Sequence, residues 1–248
     1  MVYLKLVTIG NLDPELNIKK VKKWRSSIFK VDQEDEVFYL NTKSDLISPQ
    51  WGYSDTNLAH HLPSVERLNL DTRRPYLVIY VVDIPLEDNH FTRILDNNRI
   101  VVTLYEITDI LKDKKVPLEN YIISQMYTYT LLVLLKTGKK VTMDDEMFMV
   151  HDARRGCLFD MCGIKREVVD SCLSPIICKE CMGKLSLKGI SQNDLIRIEK
   201  ELKCLNRSWY YRIALLLKRH PIISLIISLL VTLLLNVGAN LILCIFSK

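Results

Sequence analysis

Two closely spaced cysteine pairs are the residues of this 248-residue chain whose types and spacing most clearly indicate chemistry. Four residues separate Cys157 from Cys162, and two residues separate Cys178 from Cys181. Thiolates in such pairs can bind one metal ion from two turns, and the fifteen residues between the pairs close a loop around it. His151 competes with Cys162 for the fourth position, because zinc accepts three thiolates and one imidazole as readily as four thiolates. The pattern predicts a structural zinc site, and the alternative is a set of buried free cysteines.

An uncharged stretch late in the sequence predicts a transmembrane helix. Residues 221–246 contain no charged side chain, and a helix needs only about 20 apolar residues to cross a bilayer. Basic residues cluster before this stretch, so the positive-inside rule predicts a single-pass protein of the cell inner membrane with a cytoplasmic N-terminal part. Cytoplasmic thiols stay reduced, and a disulfide framework is therefore not expected.

Polar residues recur at every fourth position of the predicted span and indicate helix–helix contact. A four-residue step returns to nearly the same face of an α-helix, and an asparagine amide in hydrocarbon needs a hydrogen-bonding partner. We therefore predict a homo-oligomer in the lipid bilayer, and the alternative is a lone anchor whose polar residues have no role. The predicted contact residues are Ser224, Ser228, Thr232, Asn236 and Asn240.

The part of the chain before the span alternates between strand and helix patterns, which predicts an α/β (α+β) fold. Apolar runs and alternating patterns predict the strands, and apolar residues on all sides of one helix, 118–136, predict that it is buried at the centre. The predicted strands are 3–10, 36–41, 76–84 and 99–107, and the predicted helices are 13–29, a short one ending at 112, and 118–136.

Three parts follow from these patterns. Residues 1–190 are predicted to form a cytosolic α/β domain with a structural zinc. Residues 191–220 are predicted to form an amphipathic juxtamembrane helix, whose start resembles a capping box of Ser191 and Asp194. One C-terminal transmembrane helix, 221–246, completes the predicted fold class.

Five basic residues on the predicted helix 13–29 indicate a site for anions. Such a cluster can bind the headgroups of anionic lipids or the phosphates of a nucleic acid, and the alternative is an ordinary solvated helix face. The net charge of +5 is too small to indicate a nucleic-acid binder by itself. The cluster consists of Lys19, Lys20, Lys22, Lys23 and Arg25.

The two cysteine pairs, Cys157-x4-Cys162 and Cys178-x2-Cys181, resemble the C-terminal half of the archaemetzincin family of metallopeptidases. In that family a histidine-rich helix binds the catalytic zinc, and the cysteines after it hold a second, structural zinc. The order of strand 99–107 and buried helix 118–136 is also similar to a zincin. However, the family's catalytic helix reads His-Glu-x-x-His, and the sequence 118–136 contains no histidine. The resemblance therefore implies a zincin-like scaffold that keeps the structural zinc without the catalytic one.

The leading functional hypothesis is a non-enzymatic, tail-anchored membrane effector. Its cytosolic zinc-bound domain is expected to sense a protein partner or a small-molecule signal, and its transmembrane helix to oligomerise and permeabilise or remodel the membrane. This layout resembles that of effectors in antiviral abortive-infection systems. Two alternatives stay open, a membrane-tethered metallopeptidase-like enzyme and an adaptor that brings nucleic acid to the membrane. A catalytic dyad of Cys172 with His90 or His151 also stays open.

Overall fold

The computed structural model describes most of the first 205 residues and eight later positions. The chain divides into two compact units, residues 1–206 and 207–248, and every element named below belongs to the first. The described residues are 1–34, 36–39, 52–68, 70–136, 140–152, 154–205, 217, 225, 228, 229, 232, 233, 235 and 236.

A mostly parallel sheet of six strands forms the centre of the first unit. The strand order is β2-β1-β4-β6-β5. Strand β2 pairs with the first three residues of β1, and β3 pairs with the last three residues of β1. All pairings are parallel except that of β5 with β6. The strands are β1 (Val2–Ile9), β2 (Phe29–Val31), β3 (Glu36–Phe38), β4 (Tyr76–Val82), β5 (Thr92–Ile94) and β6 (Arg99–Thr103).

The three central strands, β1, β4 and β6, are buried on both faces, as their nearly continuous apolar sequences predict. Every residue from Leu77 to Val82 has no exposed surface. The predicted strands at 3–10 and 76–84 are therefore confirmed, and the strands predicted at 36–41 and 99–107 are present as the shorter β3 and β6.

Eight helices accompany the sheet in the described part of the chain. They are α1 (Ile18–Lys22), α2 (Asp55–His61), α3 (Ile107–Asp113), α4 (Leu118–Leu135), α5 (Met143–Met149), α6 (Val168–Leu173), α7 (Lys179–Leu187) and α8 (Gln192–Lys203).

Helix α4 is the central helix and confirms the prediction of a buried helix at 118–136. It contacts β1, β4 and β6 on one side and α1, α3 and α6 on others, so sixteen consecutive residues from Leu118 to Val133 are buried. Helix α2 and the 3₁₀ turn Val65–Leu68 contribute to a separate apolar cluster with β1, β4 and β6.

The predicted helix 13–29 is wrong in both length and position. Its helical part is only α1, whose first turn is capped because Asn17 Oδ1 accepts a hydrogen bond from the Lys20 N–H at 3.0 Å. Beyond α1 the chain turns back, and Phe29 to Val31 pair with β1. Tertiary pairing with a neighbouring strand outweighs the helix preference of the basic residues.

Helix α8 begins where the capping pattern predicts. Ser191 Oγ accepts a hydrogen bond from the Asp194 N–H at 3.1 Å, and Leu195, Ile198 and Leu202 form its buried face. The helix ends at Lys203, whereas the prediction extended it to 220, and residues 206–216 lie outside the described residues.

The predicted fold class needs one correction, because it included a transmembrane helix at 221–246. No helix in the described part of the chain combines the length and the apolar composition that a membrane span requires. Within the predicted span only seven positions are described, all of them helical, and the remainder lies outside the described residues. The described part of the first unit has a mixed α/β fold.

Candidate metal centre

The candidate metal ligands come from one irregular segment and from the start of α7. The segment 150–162 folds back on itself, because the His151 N–H donates to the carbonyl of Phe159 at 3.1 Å and its carbonyl accepts from the Met161 N–H at 2.9 Å. A second bridge joins this segment to the residues before α7, since the Leu158 N–H donates to the carbonyl of Ile176 at 2.9 Å. These main-chain bonds place His151 and Cys157 beside α7.

The other two cysteines occupy the first turn of α7. Cys178 is its N-cap residue, and its sulfur accepts a hydrogen bond from the Cys181 N–H at 3.5 Å. The two-residue spacing therefore brings both sulfurs to the same end of the helix, as it does in structural zinc sites.

Four side chains converge in this place: His151, Cys157, Cys178 and Cys181. Their donor atoms all lie within 4.8 Å of one another. The Sγ atoms of Cys157 and Cys181 are 3.8 Å apart, and Cys178 Sγ lies 3.3 Å from His151 Nε2. Zn–S bonds of about 2.3 Å and Zn–N bonds of about 2.0 Å in a tetrahedron separate two sulfurs by about 3.8 Å and a sulfur from a nitrogen by about 3.5 Å. The donor set can hold a metal ion, and its spacing is compatible with zinc.

The thiols of this group share hydrogen bonds that favour a thiolate. The hydrogen bond with the Cys181 thiol lowers the pKa of Cys157 to well below its ordinary value, with further help from the main-chain N–H of Cys178. The same contact with Cys157 raises the pKa of Cys181. The contact thus favours the thiolate form of Cys157, and a divalent cation would stabilise the deprotonated forms of its neighbours.

A buried carboxylate fixes the turn that carries Cys157. Asp160 accepts hydrogen bonds from the Gly156 N–H at 3.1 Å and from Arg155 Nη1 at 2.8 Å. Gly156 has a φ of +83°, and a side chain there would meet the carbonyl oxygens of Asp170 and Ser174 at 3.4 Å. The supporting role of Asp160 was missed by sequence reasoning, because a lone Asp-Met-Cys sequence contains no signal for it.

The structure decides between the two predicted fourth ligands in favour of His151. Cys162 does not belong to the group of donors, which corrects its assignment as a ligand. Its backbone has a φ of +45°, its N–H bonds to Asp160, and its side chain lines a neighbouring cleft. Burial raises the pKa of the Cys162 thiol to about 12, so it is an uncharged group at neutral pH.

The hypothesis of a catalytic dyad at Cys172 receives no support from the geometry. Cys172 has no exposed surface, and burial raises the pKa of its thiol. His151 belongs to the metal-binding group, and His90 lines the same cleft as Cys162.

Four of the five predicted anion-binding residues line one surface groove of about 770 Å³. Lys22 is the exception, because its side chain is buried and its ammonium group donates to the carbonyl of Glu34. Lys20 also pairs with the carboxylate of Glu119 at 3.6 Å. The groove contains Asn17, Lys19, Lys20, Lys23, Trp24, Arg25, Glu201 and Cys204.

The predicted oligomerisation residues are only partly described. Ser228, Thr232 and Asn236 are helical, and the Thr232 hydroxyl donates to the carbonyl of Ser228 at 2.9 Å. Ser224 and Asn240 lie outside the described residues.

No family model, no curated protein and no solved structure matches this chain. The similarity to archaemetzincins consequently stays a prediction.

Proposed function

We propose that residues 1–206 form a zinc-stabilised sensor domain, a binding module in which the metal has a structural role. The observation that carries this proposal is the donor set of one imidazole and three thiols, all contributed by this chain. Four protein ligands complete the tetrahedral coordination of zinc and leave no position for a substrate or an activated water. Hydrolysis at this metal is therefore not part of the proposal.

The sensing role is supported by the position of residues 158–165, named the metal-binding loop because they continue the chain from the ligand Cys157. Residues 158–165 directly follow Cys157 and form one wall of a cleft of about 420 Å³. A bound metal therefore orders a surface that can receive a signal molecule. The membrane output expected from the sequence depends on the predicted span, and the described part of the chain contains no helix that could form one.

Metal analysis of the full-length protein tests the proposal. Protein purified without added metal should contain about one zinc per chain by plasma mass spectrometry, and X-ray absorption should show three sulfurs and one nitrogen at the ion. A folded protein free of metal contradicts the structural role. A coordinated water at the metal contradicts the closed site.

A second candidate function, binding of single-stranded nucleic acid, is favoured by the composition of the basic groove. Lys19, Lys23 and Arg25 are exposed there beside the half-buried Trp24. Exposed cations follow a phosphate backbone, and an aromatic ring can stack on a base.

A charge-reversal experiment tests this second function. The triple variant Lys19→Glu, Lys23→Glu, Arg25→Glu should lose binding of a fluorescent oligonucleotide, and the affinity of the unchanged protein should fall steeply with salt. The matched control, Lys114→Glu, Lys179→Glu, Lys188→Glu, makes the same charge change at exposed positions outside the groove. Equal losses in both variants mean that only net charge matters, which contradicts a groove. Binding to anionic vesicles without binding to the oligonucleotide also contradicts it.

A further inference from the structure

A cleft next to the metal-binding loop has the properties of a small-molecule site. It lies between the loop 88–92, helices α4 and α5, and the segment 158–165, and its volume is about 420 Å³. Volumes of roughly 300 to 1,000 Å³ with mainly apolar walls and a few polar groups are usual for such sites.

The walls of the cleft are rich in soft and aromatic side chains. Met143, Met147 and Met161 line it together with Phe91 and Phe159. Met147 and Met161 are 63 % and 56 % exposed, although large apolar side chains are normally covered. Thioether groups adapt to the face of a planar ring and interact favourably with it.

Gln125 places an unused amide in this apolar environment. The residue lies on α4, is 8 % exposed and lines the cleft. Within the described residues, its side chain makes no hydrogen bond. The amide therefore has a free donor and a free acceptor for a ligand in the cleft.

Two neighbouring polar groups of the cleft, on Thr128 and Glu146, already have partners. The Thr128 hydroxyl bonds to the carbonyls of Ser124 and Leu158, both at 3.1 Å. Glu146 accepts from the Tyr129 hydroxyl at 2.8 Å, which satisfies one of its oxygens.

The charges at the cleft do not favour a phosphate. Lys165 donates to the carbonyl of Tyr105 at 3.1 Å and pairs with Glu106, so its charge is compensated. No arginine is found among the described lining residues. A highly charged ligand would lack a counter-ion here.

We propose that this cleft binds an uncharged purine of the adenine type, as a free base or a nucleoside. A glutamine amide forms two hydrogen bonds with the adjacent amino group and ring nitrogen of adenine. The methionine and phenylalanine walls would hold the faces of the ring.

Backbone conformation at the rim agrees with a functional site. Asp88, Asn89 and Cys162 have φ values of +55°, +57° and +45°, and all three line the cleft. Such conformations persist where the surrounding structure holds them and are frequent at binding sites. Burial lowers the pKa of His90 and raises that of Glu146, because it disfavours the charged form of each group.

This inference rests on the proposed sensor function and adds the chemistry of the signal. Because Leu158 to Lys165 follow the metal ligand Cys157, we expect that removal of the metal also removes ligand binding.

Calorimetric titration of the full-length, metal-loaded protein with adenosine and with 7-deazaadenosine tests the proposal. The second compound keeps the amino group and lacks the ring nitrogen that accepts a hydrogen bond. Adenosine should bind, and 7-deazaadenosine should bind about tenfold to a hundredfold more weakly, because one of two paired hydrogen bonds is lost. The variant Gln125→Leu loses both hydrogen bonds, so it should bind adenosine and 7-deazaadenosine with the same low affinity. The matched control Gln192→Leu, at an exposed position of α8, should behave like the unchanged protein.

Several outcomes would overturn the proposal. They are the absence of adenosine binding by folded, metal-loaded protein, equal affinities for the two nucleosides, and unchanged affinity in Gln125→Leu. The comparison of nucleosides on the unchanged protein stands even when the variant does not fold. Metal content is measured on the same samples, so a missing metal contradicts the structural zinc site, whereas a full metal site without binding contradicts only the purine site.

Discussion

At the scale of single residues, the metal centre consists of donors that the main chain already holds in place. His151 is fixed by two hydrogen bonds to residues 159 and 161, and Cys178 and Cys181 by the first turn of α7. Cys162 directly follows Met161 in the sequence, but it lines the neighbouring cleft and does not join the donors. Each residue therefore has a distinct expected effect when replaced.

Single replacements of Cys181 and Cys162 should distinguish a metal ligand from a nearby cysteine that does not bind the metal. Cys181→Ser removes a thiolate from the donor set, so the zinc content of the purified protein should fall well below one per chain. Cys162→Ser should keep the full zinc content, measured by plasma mass spectrometry. Loss of zinc in Cys162→Ser with retention in His151→Ala would restore the four-cysteine site.

Glu146 should make stability depend on pH. Burial raises its pKa above the ordinary value, so the folded state binds this proton more tightly than the unfolded state. The stability that this proton contributes is present below the unfolded pKa and is lost as pH rises through the folded pKa.

Glu146→Gln should remove this dependence and keep an acceptor for Tyr129. Urea denaturation at pH 5 and pH 8 gives the unfolding free energy of the variant and of the unchanged protein. We expect the difference, variant minus unchanged protein, to be larger at pH 8 than at pH 5. A difference that decreases with pH means that the carboxylate is stabilised, contrary to its burial.

At the scale of elements, α8 is held against the sheet domain through one carboxylate. Glu201 accepts hydrogen bonds from the Tyr127 hydroxyl at 2.6 Å, the Ser27 N–H at 2.8 Å and the Ser26 hydroxyl at 2.8 Å. Burial alone would raise the pKa of Glu201, but these bonds outweigh burial and lower it. One side chain thus joins α8, α4 and the segment before β2.

Glu201→Ala should destabilise the domain by about 2–4 kcal/mol, because it leaves a partly buried N–H and two hydroxyls without their charged acceptor. The control Glu199→Ala lies on the same helix, and within the described residues its carboxylate makes no ion pair or hydrogen bond. That variant should change the unfolding free energy by less than about 0.5 kcal/mol. Equal effects in chemical denaturation would assign the loss to helix propensity rather than to Glu201.

At the scale of the whole molecule, the sheet and the metal-binding segment depend on different forces. The sheet core is built from buried apolar residues of β1, β4 and β6, which lie far from the candidate metal ligands in sequence. The segment 150–187 contains short helices and irregular chain, and it carries all four candidate metal ligands. Segments with so little regular structure depend strongly on their metal.

Removal of the metal should therefore unfold part of the protein first. After treatment with a chelator, amide hydrogen exchange should accelerate in residues 150–187 and stay slow in β1, β4 and β6. Added zinc should restore protection. Uniform loss of protection would show that the metal stabilises the whole domain, and no change would show that the segment folds without it.

The sequence by itself determined the elements whose patterns are local. Continuous apolar runs identified β4 and β6, apolar residues on all sides identified α4, and the Cys178-x2-Cys181 spacing identified half of the metal centre. These patterns work because hydrophobic periodicity and chelate spacing act over a few neighbouring residues.

Only the tertiary structure decided which distant side chains meet. The choice of His151 over Cys162 depends on main-chain bridges to Phe159 and Ile176, and the inward turn of Lys22 depends on the carbonyl of Glu34. Likewise, the sequence does not distinguish Gln125 from other polar residues, because its place in the cleft depends on α5 and residues 158–165. Each of these outcomes is set by contacts between segments far apart in the chain, and neither residue type nor local spacing encodes such contacts.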